Sequence, residues 1–465
     1  MIPLTLAELA AVVGGEVHGD PALVVTGPAY VDTREAAPGG LFVAVVGERV
    51  DGHDYAEGAH AVLGSRPTVA PTVVVPDPVV ALGRLARHVV DTLGTPVLAL
   101  TGSQGKTGTK DYLAHVLAAA GPTVATAANN NNELGVPLTV LRAGPETAYL
   151  VVEMGARGLG HIAYLCDIAP PTVAAVLNVG TAHIGEFGTR EAIAQAKGEL
   201  VEALPAEGTA VLNADDGLTA AMAARTRAAT VTFGVSGDVA WRAVELDELG
   251  RPRFELGYDG AWLPVTLAQT GAHQVANAAA AVAMAVAVGM PFVEAAGALG
   301  SARSASRWRM ELHERGDGLL VVNDAYNANP ASMVAAIEAL AAIGARAGRR
   351  TVAVLGEMRE LGPDAHAAHD EVGRAAAAAG LDVILVIGEA ASGIAEGARQ
   401  SAGWQGDVVV TAGRTEALAW LRENVGARDA VLVKASRGAA LEVVADGLLA
   451  TAAGAAEQAE GGATP

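Results

Sequence analysis

Val97-Leu-Ala-Leu-Thr-Gly-Ser-Gln-Gly-Lys-Thr107 runs from four apolar residues into a glycine-rich loop that ends in Lys-Thr. The apolar run reads as a short buried strand, and the residues after Thr107 read as a helix. Gly102 and Gly105 permit backbone conformations that other residues resist. Successive N–H groups then converge on phosphate oxygens, helped by the helix N-terminus. Lys106 is placed to reach β- and γ-phosphates, and the Thr107 hydroxyl to ligate Mg²⁺. The spacing departs from the common phosphate loop, whose first glycine would fall at Leu100. The flanking strand and helix are the context the motif needs; an ordinary strand–turn–helix is the alternative. Gly102, Ser103, Gln104, Gly105, Lys106, Thr107 and Gly108 are the candidate nucleotide contacts in this loop.

Working outward, the runs Val97–Leu100, Tyr149–Glu153, Val173–Asn178, Ala210–Asn213 and Thr230–Phe233 alternate with longer Ala-rich segments. That alternation predicts βαβ units around a buried parallel sheet. Residues 239–268 read as a β-meander, and Ala272–Val288 as a buried helix. A second set of runs, Leu319–Asn323, Thr351–Leu355, Val383–Ile387, Asp407–Val410 and Ala430–Val433, predicts another doubly wound unit. Ahead of the phosphate loop, Thr5–Val13 reads as a helix, Leu41–Val45 as a strand and Val79–Leu93 as a helix, before the break at Gly94-Thr95-Pro96. The expected fold is α/β in three domains: a small one over 1–94, a central phosphate-loop domain over 95–310, and a Rossmann-like one over 311–450. Residues 451–465 show no apolar period and are expected to be disordered.

With 51% hydrophobic and 18% charged residues over 465 positions, the chain is not a disordered one. Its 56 glycines show no three-residue period, which excludes collagen. The single cysteine, Cys166, leaves no disulfide within the chain and suits a reducing compartment. Residues 1–20 contain no Lys or Arg and do not read as a signal peptide. The longest apolar run, Ala278 to Val293, is interrupted by Gly289 and Pro291 and is too short to span a bilayer. A soluble, cytoplasmic protein is expected. A net charge of −20 argues against non-specific nucleic-acid binding, so any phosphate must be held by a locally built site. Of the 31 basic residues only Lys106, Lys110, Lys197 and Lys434 are lysines. An amine can be deprotonated where a guanidinium cannot, which singles out these four positions.

Thr189 is placed to cap a helix running to about Leu204, on which Ile193, Ala196, Leu200, Val201 and Leu204 form one apolar arc. Lys197 falls inside that arc. A buried amine tends to lose its proton, and a neutral amine can take up CO₂ to give a carbamate, an oxygen ligand for Mg²⁺. Snorkelling to solvent is the alternative. Glu153 ends a predicted strand, so its carboxylate sits at the carboxyl edge of the sheet, where α/β sheets hold ligands. His183, in the loop Asn178–Gly188, should emerge at the same edge. Lys110 lies one helical turn beyond Lys106 and reads equally well as a solvated helix residue.

These segments resemble the Mur ligases, the ATP-dependent amide-forming enzymes of peptidoglycan precursor synthesis. The resemblance covers about residues 1–445. It rests on Thr101-Gly-Ser-Gln-Gly-Lys-Thr107, Asn129-Asn-Asn-Asn-Glu-Leu-Gly-Val-Pro-Leu-Thr139, Asn178–Gly188, Ala196-Lys197-Gly-Glu199 and Asp324-Ala-Tyr-Asn-Ala-Asn-Pro-Ala-Ser-Met333. It implies that Lys197 is carbamylated and that Thr107, Glu153, His183 and Lys197 hold two Mg²⁺ ions. It implies ATP contacts from Asn277, Arg307, Asp324 and Asn327, uridine-nucleotide contacts from Asp32, Thr33 and Arg34, and substrate contacts from Asn132, Lys434, Ser436 and Arg437. The residues alone leave Asn277 open as a satisfied core amide, Asp324 as a helix N-cap, Asn327 and Asn329 as turn residues, and Lys434 as part of a solvated loop. Two departures stand out: Gly108 where relatives often have Thr, and Ala435 within a segment usually reading Lys-Gly-Ser-Arg.

The implied reaction is phosphorylation of the terminal carboxylate of a UDP-N-acetylmuramoyl tripeptide, then attack on the acyl phosphate by the amine of D-Ala-D-Ala, in a monomeric cytoplasmic enzyme. Alternatives on the same scaffold are an amino-acid-adding Mur ligase or a folylpolyglutamate-type synthase. The Asp-Asn-Pro-Arg tetrapeptide of the diaminopimelate-adding ligase is absent. A regulatory nucleotide-binding module is the alternative without chemistry; it would have no need of Lys197 beside Glu153 and His183.

Overall fold

The computed structural model describes residues 1–47, 50–180, 187–303 and 306–450. His183 and the tail 451–465 lie outside them. The chain opens with a helix, Leu6–Val13, fixed at both ends by its sequence. Thr5 and Glu8 form a capping box, and Gly14 ends the helix in the left-handed region at φ 73°. A five-stranded sheet follows, in the order Glu16–His18, Thr72–Val74, Ala61–Gly64, Leu41–Val43, Ala29–Tyr30. Its first pair is antiparallel and the others are parallel. Helix Pro78–Leu93, capped by Asp77 and stopped by Gly94, leads into the phosphate-loop strand.

The central sheet has six parallel strands, ordered Ala229–Phe233, Thr209–Asn213, Val173–Val176, Val97–Thr101, Tyr149–Glu153, Thr123–Ala125. Val97–Thr101 and Val173–Val176 are neighbours, yet the chain leaves them in opposite directions along the sheet. A crevice opens at the carboxyl ends of two such strands. Helices Lys106–Ala118 and Gln274–Ala287 pack together against one face. The second helix is so rich in alanine that all of Ala278–Ala285 is buried, which lets backbones approach closely. Strands Ala240–Leu246, Pro252–Tyr258 and Ala261–Thr266 form the expected antiparallel meander.

The last sheet runs Glu311–Glu314, Leu320–Asp324, Asp429–Lys434, Arg350–Leu355, Val383–Ile387, Asp407–Thr411. It is parallel except for its first strand. Helix Pro330–Ala347 is long and apolar enough to cross a membrane by length and composition. Here it buries Met333, Ile337, Leu340 and Ile343 in the core of this sheet. The sequence reading had no counterpart for the edge strands Thr123–Ala125 and Glu311–Glu314. The former has three residues and the latter three charged or polar ones, too little for a periodic signal.

Candidate active site

The carboxyl edges of the central and C-terminal sheets face one cavity of about 460 Å³. On the central side the loop takes the shape its glycines allow. Gly105 sits at φ 79° and starts the helix bearing Lys106 and Thr107. Asn178 braces the loop from the next strand: its Oδ1 accepts from Gln104 N at 2.9 Å and its Nδ2 donates to Gln104 O at 3.1 Å. Ser103 Oγ accepts from Gly180 N at 2.9 Å. Lys106 Nζ donates to Gly102 O at 2.8 Å, folding the ammonium back over the loop. Burial lowers its pKa, opposed by Glu153 and reinforced by Arg309.

Glu153 ends its strand where expected and is 1% exposed. Its Oε2 accepts from Thr107 Oγ1 at 3.0 Å and its Oε1 from Asn131 Nδ2 at 2.8 Å. Lys197 lies on helix Arg190–Glu202, capped by Thr189 as predicted, and is 5% exposed, which removes the snorkelling alternative. It makes no hydrogen bond or ion pair with the described residues. Burial, and secondarily the charge of Lys106, holds its pKa well below the usual lysine range. Among the described residues no group of three His, Cys, Asp or Glu side chains converges to hold a metal. Glu153, Thr107 and Lys197 nevertheless line the same cavity.

Asn277 is packed against the loop rather than lost in the core. A Cβ at Gly105 would fall 2.5 Å from its Oδ1, and one at Gly108 would fall 2.9 Å from its Nδ2. That contact accounts for Gly108 in place of Thr. The same logic accounts for Ala435: a Cβ at Gly356 would lie 2.9 Å from the Ala435 Cβ, so a glycine across the sheet edge makes room for the methyl.

On the C-terminal side Asp324 is not a helix cap. Asn329 caps helix Pro330–Ala347, through a reciprocal pair with Ser332. Asp324 instead accepts from Lys434 Nζ at 2.6 Å and from Met310 N at 3.0 Å. Lys434 is 2% exposed and also donates to Asn327 O at 2.9 Å, so it belongs to no solvated loop. These partners take two of its three ammonium donors, and it lines the cavity. Asn327 turns its Oδ1 to Ala328 N at 2.9 Å. Both Asp324 and Asn327 line the cavity. Ser436 and Arg437 line an adjoining cavity of about 240 Å³ that shares Asn327 and Glu360 with the first. Ser436 Oγ accepts from Arg359 N at 3.0 Å, and Arg437 pairs with Glu442 at 2.6 Å while stacking on Trp308 at 4.4 Å.

Three of the expected sites, Arg307, Gly102 and the Asp32–Arg34 segment, lie outside this cavity. Arg307 is exposed, stacks on Trp308 at 5.3 Å and does not line the cavity; Arg309, two residues on, does. Arg309 lies over the Tyr326 ring at 4.0 Å, and its Nε is buried without a hydrogen-bond partner among the described residues. Gly102 sits beneath the loop, outside the cavity lining. Asp32, Thr33 and Arg34 also lie outside it, as a capped 3₁₀ turn in which Asp32 pairs with Arg34 and is held at a pKa of about 2 by those hydrogen bonds. Asn132 lines the cavity, but its Oδ1 is taken by Gly135 N at 2.9 Å; its neighbour Asn131 is the one that meets Glu153. Asn131, Asn178 and Arg309 were absent from the predicted set. Residues two apart on an extended segment share a face, so the spacing in Arg307-Trp-Arg309 carries no signal for the last; the left-handed backbone at Trp308 and Met310 is what separates the two arginines.

Residues 100–285 match the Mur ligase middle domain and 308–437 the Mur ligase glutamate ligase domain. The chain is 46% identical to UDP-N-acetylmuramoyl-tripeptide–D-alanyl-D-alanine ligase of Mycobacterium bovis, over 97% of this chain and 98% of that one. It is 35% identical to the ligase of the same name from Escherichia coli, over 96% and 98%. Among solved structures, MurF from Acinetobacter baumannii superposes with a TM-score of 0.85 at 33% identity, covering 96% of this chain and 99% of that one. MurF ligase from Thermotoga maritima in complex with ADP gives 0.79 at 31% identity, over 93% and 99%. With both family domains matched and similarity running almost end to end, the chain belongs to the Mur ligase family of ATP-dependent, amide-bond-forming ligases.

Proposed function

We propose that this protein joins D-Ala-D-Ala to the terminal carboxylate of a UDP-N-acetylmuramoyl tripeptide, acting as a monomer in the cytoplasm. The observation that carries the reading is the shared cavity: the phosphate loop, Glu153 and Lys197 on one side face Arg309, Asp324 and Asn327 on the other. The names of the relatives that match this chain almost end to end support the choice of substrates. In this reading residues 1–94 receive the uridine nucleotide through Asp32, Thr33 and Arg34. Residues 95–310 hold the phosphates, and 311–450 receive the adenosine and the amine.

A free carboxylate is a poor electrophile, so it must be activated before an amide forms. ATP transfers its γ-phosphoryl group to the carboxylate oxygen; the amine nitrogen then attacks the acyl carbon and phosphate departs with that oxygen. Phosphoryl transfer needs chiefly positioning and charge neutralisation. The loop N–H groups and Lys106 would grip the phosphates, and Arg309 would meet the transferred group with its unpartnered Nε. Asp324 and Asn327 would orient the nucleotide. Ser436 and Arg437 would face the dipeptide from the adjoining cavity.

Thr107, Glu153 and, as a carbamate, Lys197 would hold two Mg²⁺ ions, with His183 as the further ligand that the family resemblance implies. The fit rests on a buried carboxylate touching the Thr107 hydroxyl, and on a buried amine with no partner among the described residues. Bound Mg²⁺ supplies neutralising charge at the phosphates. Hydroxylamine tests the scheme: with ATP and the tripeptide it should trap the activated carboxyl as a hydroxamate. Absence of hydroxamate under those conditions overturns the acyl-phosphate step.

A further inference from the structure

Lys110 has no part in the chemistry above, yet it is buried. Its side chain is 4% exposed, and that of its partner Asp111 is 3% exposed. Lys110 Nζ lies 2.6 Å from Asp111 Oδ1, donates to Thr126 O at 2.9 Å and reaches Ser306 Oγ at 3.3 Å. Asp111 accepts from Ser306 N at 3.1 Å and from Ser306 Oγ at 3.2 Å. Thr126 in turn takes Glu153 N on its hydroxyl at 3.0 Å. One buried ion pair therefore touches three separate parts of the site: the phosphate-loop helix, the strand end beneath Glu153, and the segment that enters the C-terminal sheet.

Two buried charges are costly to desolvate, and an apolar pair would serve packing as well or better. Their surplus hydrogen bonds all go to chain segments distant in sequence, which points to position rather than stability. Ser306 stands three residues before Arg309, in a segment whose backbone is tied at several points. Trp308 and Met310 sit at φ 59° and 48°, in the left-handed region that non-glycine residues rarely adopt. Met310 N is tied to Asp324, and Trp308 O accepts from Tyr326 N at 3.1 Å. A segment pinned at Ser306 and at Met310 fixes where the Arg309 guanidinium stands relative to the phosphate loop.

We infer that Lys110, Asp111 and Ser306 form a positioning clamp that holds Arg309 over the transferred phosphoryl group. This rests on the reading of the loop as the ATP site. The experiment is a double-mutant cycle on hydroxamate formation, with Asp111→Asn and Arg309→Ala singly and combined, each checked for an intact thermal transition. The clamp predicts that Asp111→Asn slows hydroxamate formation at least tenfold at saturating ATP, and that it adds less than twofold once Arg309 is alanine. Ser306→Ala should reproduce part of the loss, and replaces Asp111→Asn in the cycle if that variant does not fold. Equal factors in both backgrounds, or an unchanged rate in Asp111→Asn, overturn the clamp. No hydroxamate from the unmodified protein would instead overturn the proposed reaction, so the two failures are distinguishable.

Discussion

Lys197 shows how far one residue can be read from sequence. Its place inside an apolar arc predicted burial, and burial is what the structure shows. The inference from burial to neutrality follows from the cost of placing an ammonium in low dielectric beside Lys106. The sign for folding is definite. The folded-state pKa is lowered, so the unfolded chain binds a proton that the folded one does not, at every pH between the lowered value and the ordinary lysine value. The site therefore opposes folding across that window, and the penalty fades as pH rises toward the ordinary value. Lys197→Met in CO₂-free buffer at neutral pH should raise the thermal midpoint by a few degrees while abolishing ligation. Lys197→Ala should be partly rescued by short carboxylates. A lowered midpoint in Lys197→Met, or full activity in unrescued Lys197→Ala, contradicts a buried neutral amine serving as a carbamate. Other residues were legible only by type. Nothing in Arg307-Trp-Arg309 alone says which arginine faces the cavity, because two left-handed residues redirect the backbone there. Lys434 was legible as a retained amine at a strand end, but its pairing with Asp324 joins residues 110 positions apart and has no local signature.

At the scale of elements, buried parallel strands and capped helices were the readable features. Each leaves an uninterrupted aliphatic run or a Thr, Asp or Gly at a fixed offset, as at Thr5, Asp77, Gly94 and Thr189. Short edge strands and the segment joining the last two sheets were not, since tertiary hydrogen bonding rather than periodicity creates them. The phosphate loop itself was readable because its glycines are required twice over. Gly105 needs the left-handed region, and it also needs empty space beside Asn277. An alanine there carries about 1–2 kcal/mol of backbone strain plus a clash at the Asn277 amide. Gly105→Ala is thus expected to raise the KM for ATP at least tenfold while leaving the KM for the dipeptide within about twofold, a tenfold change being about 1.4 kcal/mol. Steady-state kinetics with each substrate varied in turn checks this; equal changes in both constants would show that the loop supports the fold rather than the nucleotide.

For the molecule as a whole, a net charge of −20 sits beside two proposed polyanionic substrates, ATP and the UDP-linked tripeptide. Among the described residues the cationic side chains lining the cavity are Lys106, Arg157, Arg309 and Lys434, beside the buried amine of Lys197, and Lys106, Arg309 and Lys434 are each held by named partners. Two sheets present their carboxyl edges to that one cavity, so activation of a carboxylate and delivery of an amine can share a site. The central claim is that ATP is consumed only to join these two partners. Phosphate release, measured while UDP-linked tripeptide and dipeptide are crossed against alternative amines, tests it most directly. The account predicts rapid release only when ATP, UDP-N-acetylmuramoyl tripeptide and D-Ala-D-Ala are all present. Release driven equally well by glutamate or a diamino acid as the amine, or release independent of the tripeptide, would contradict it.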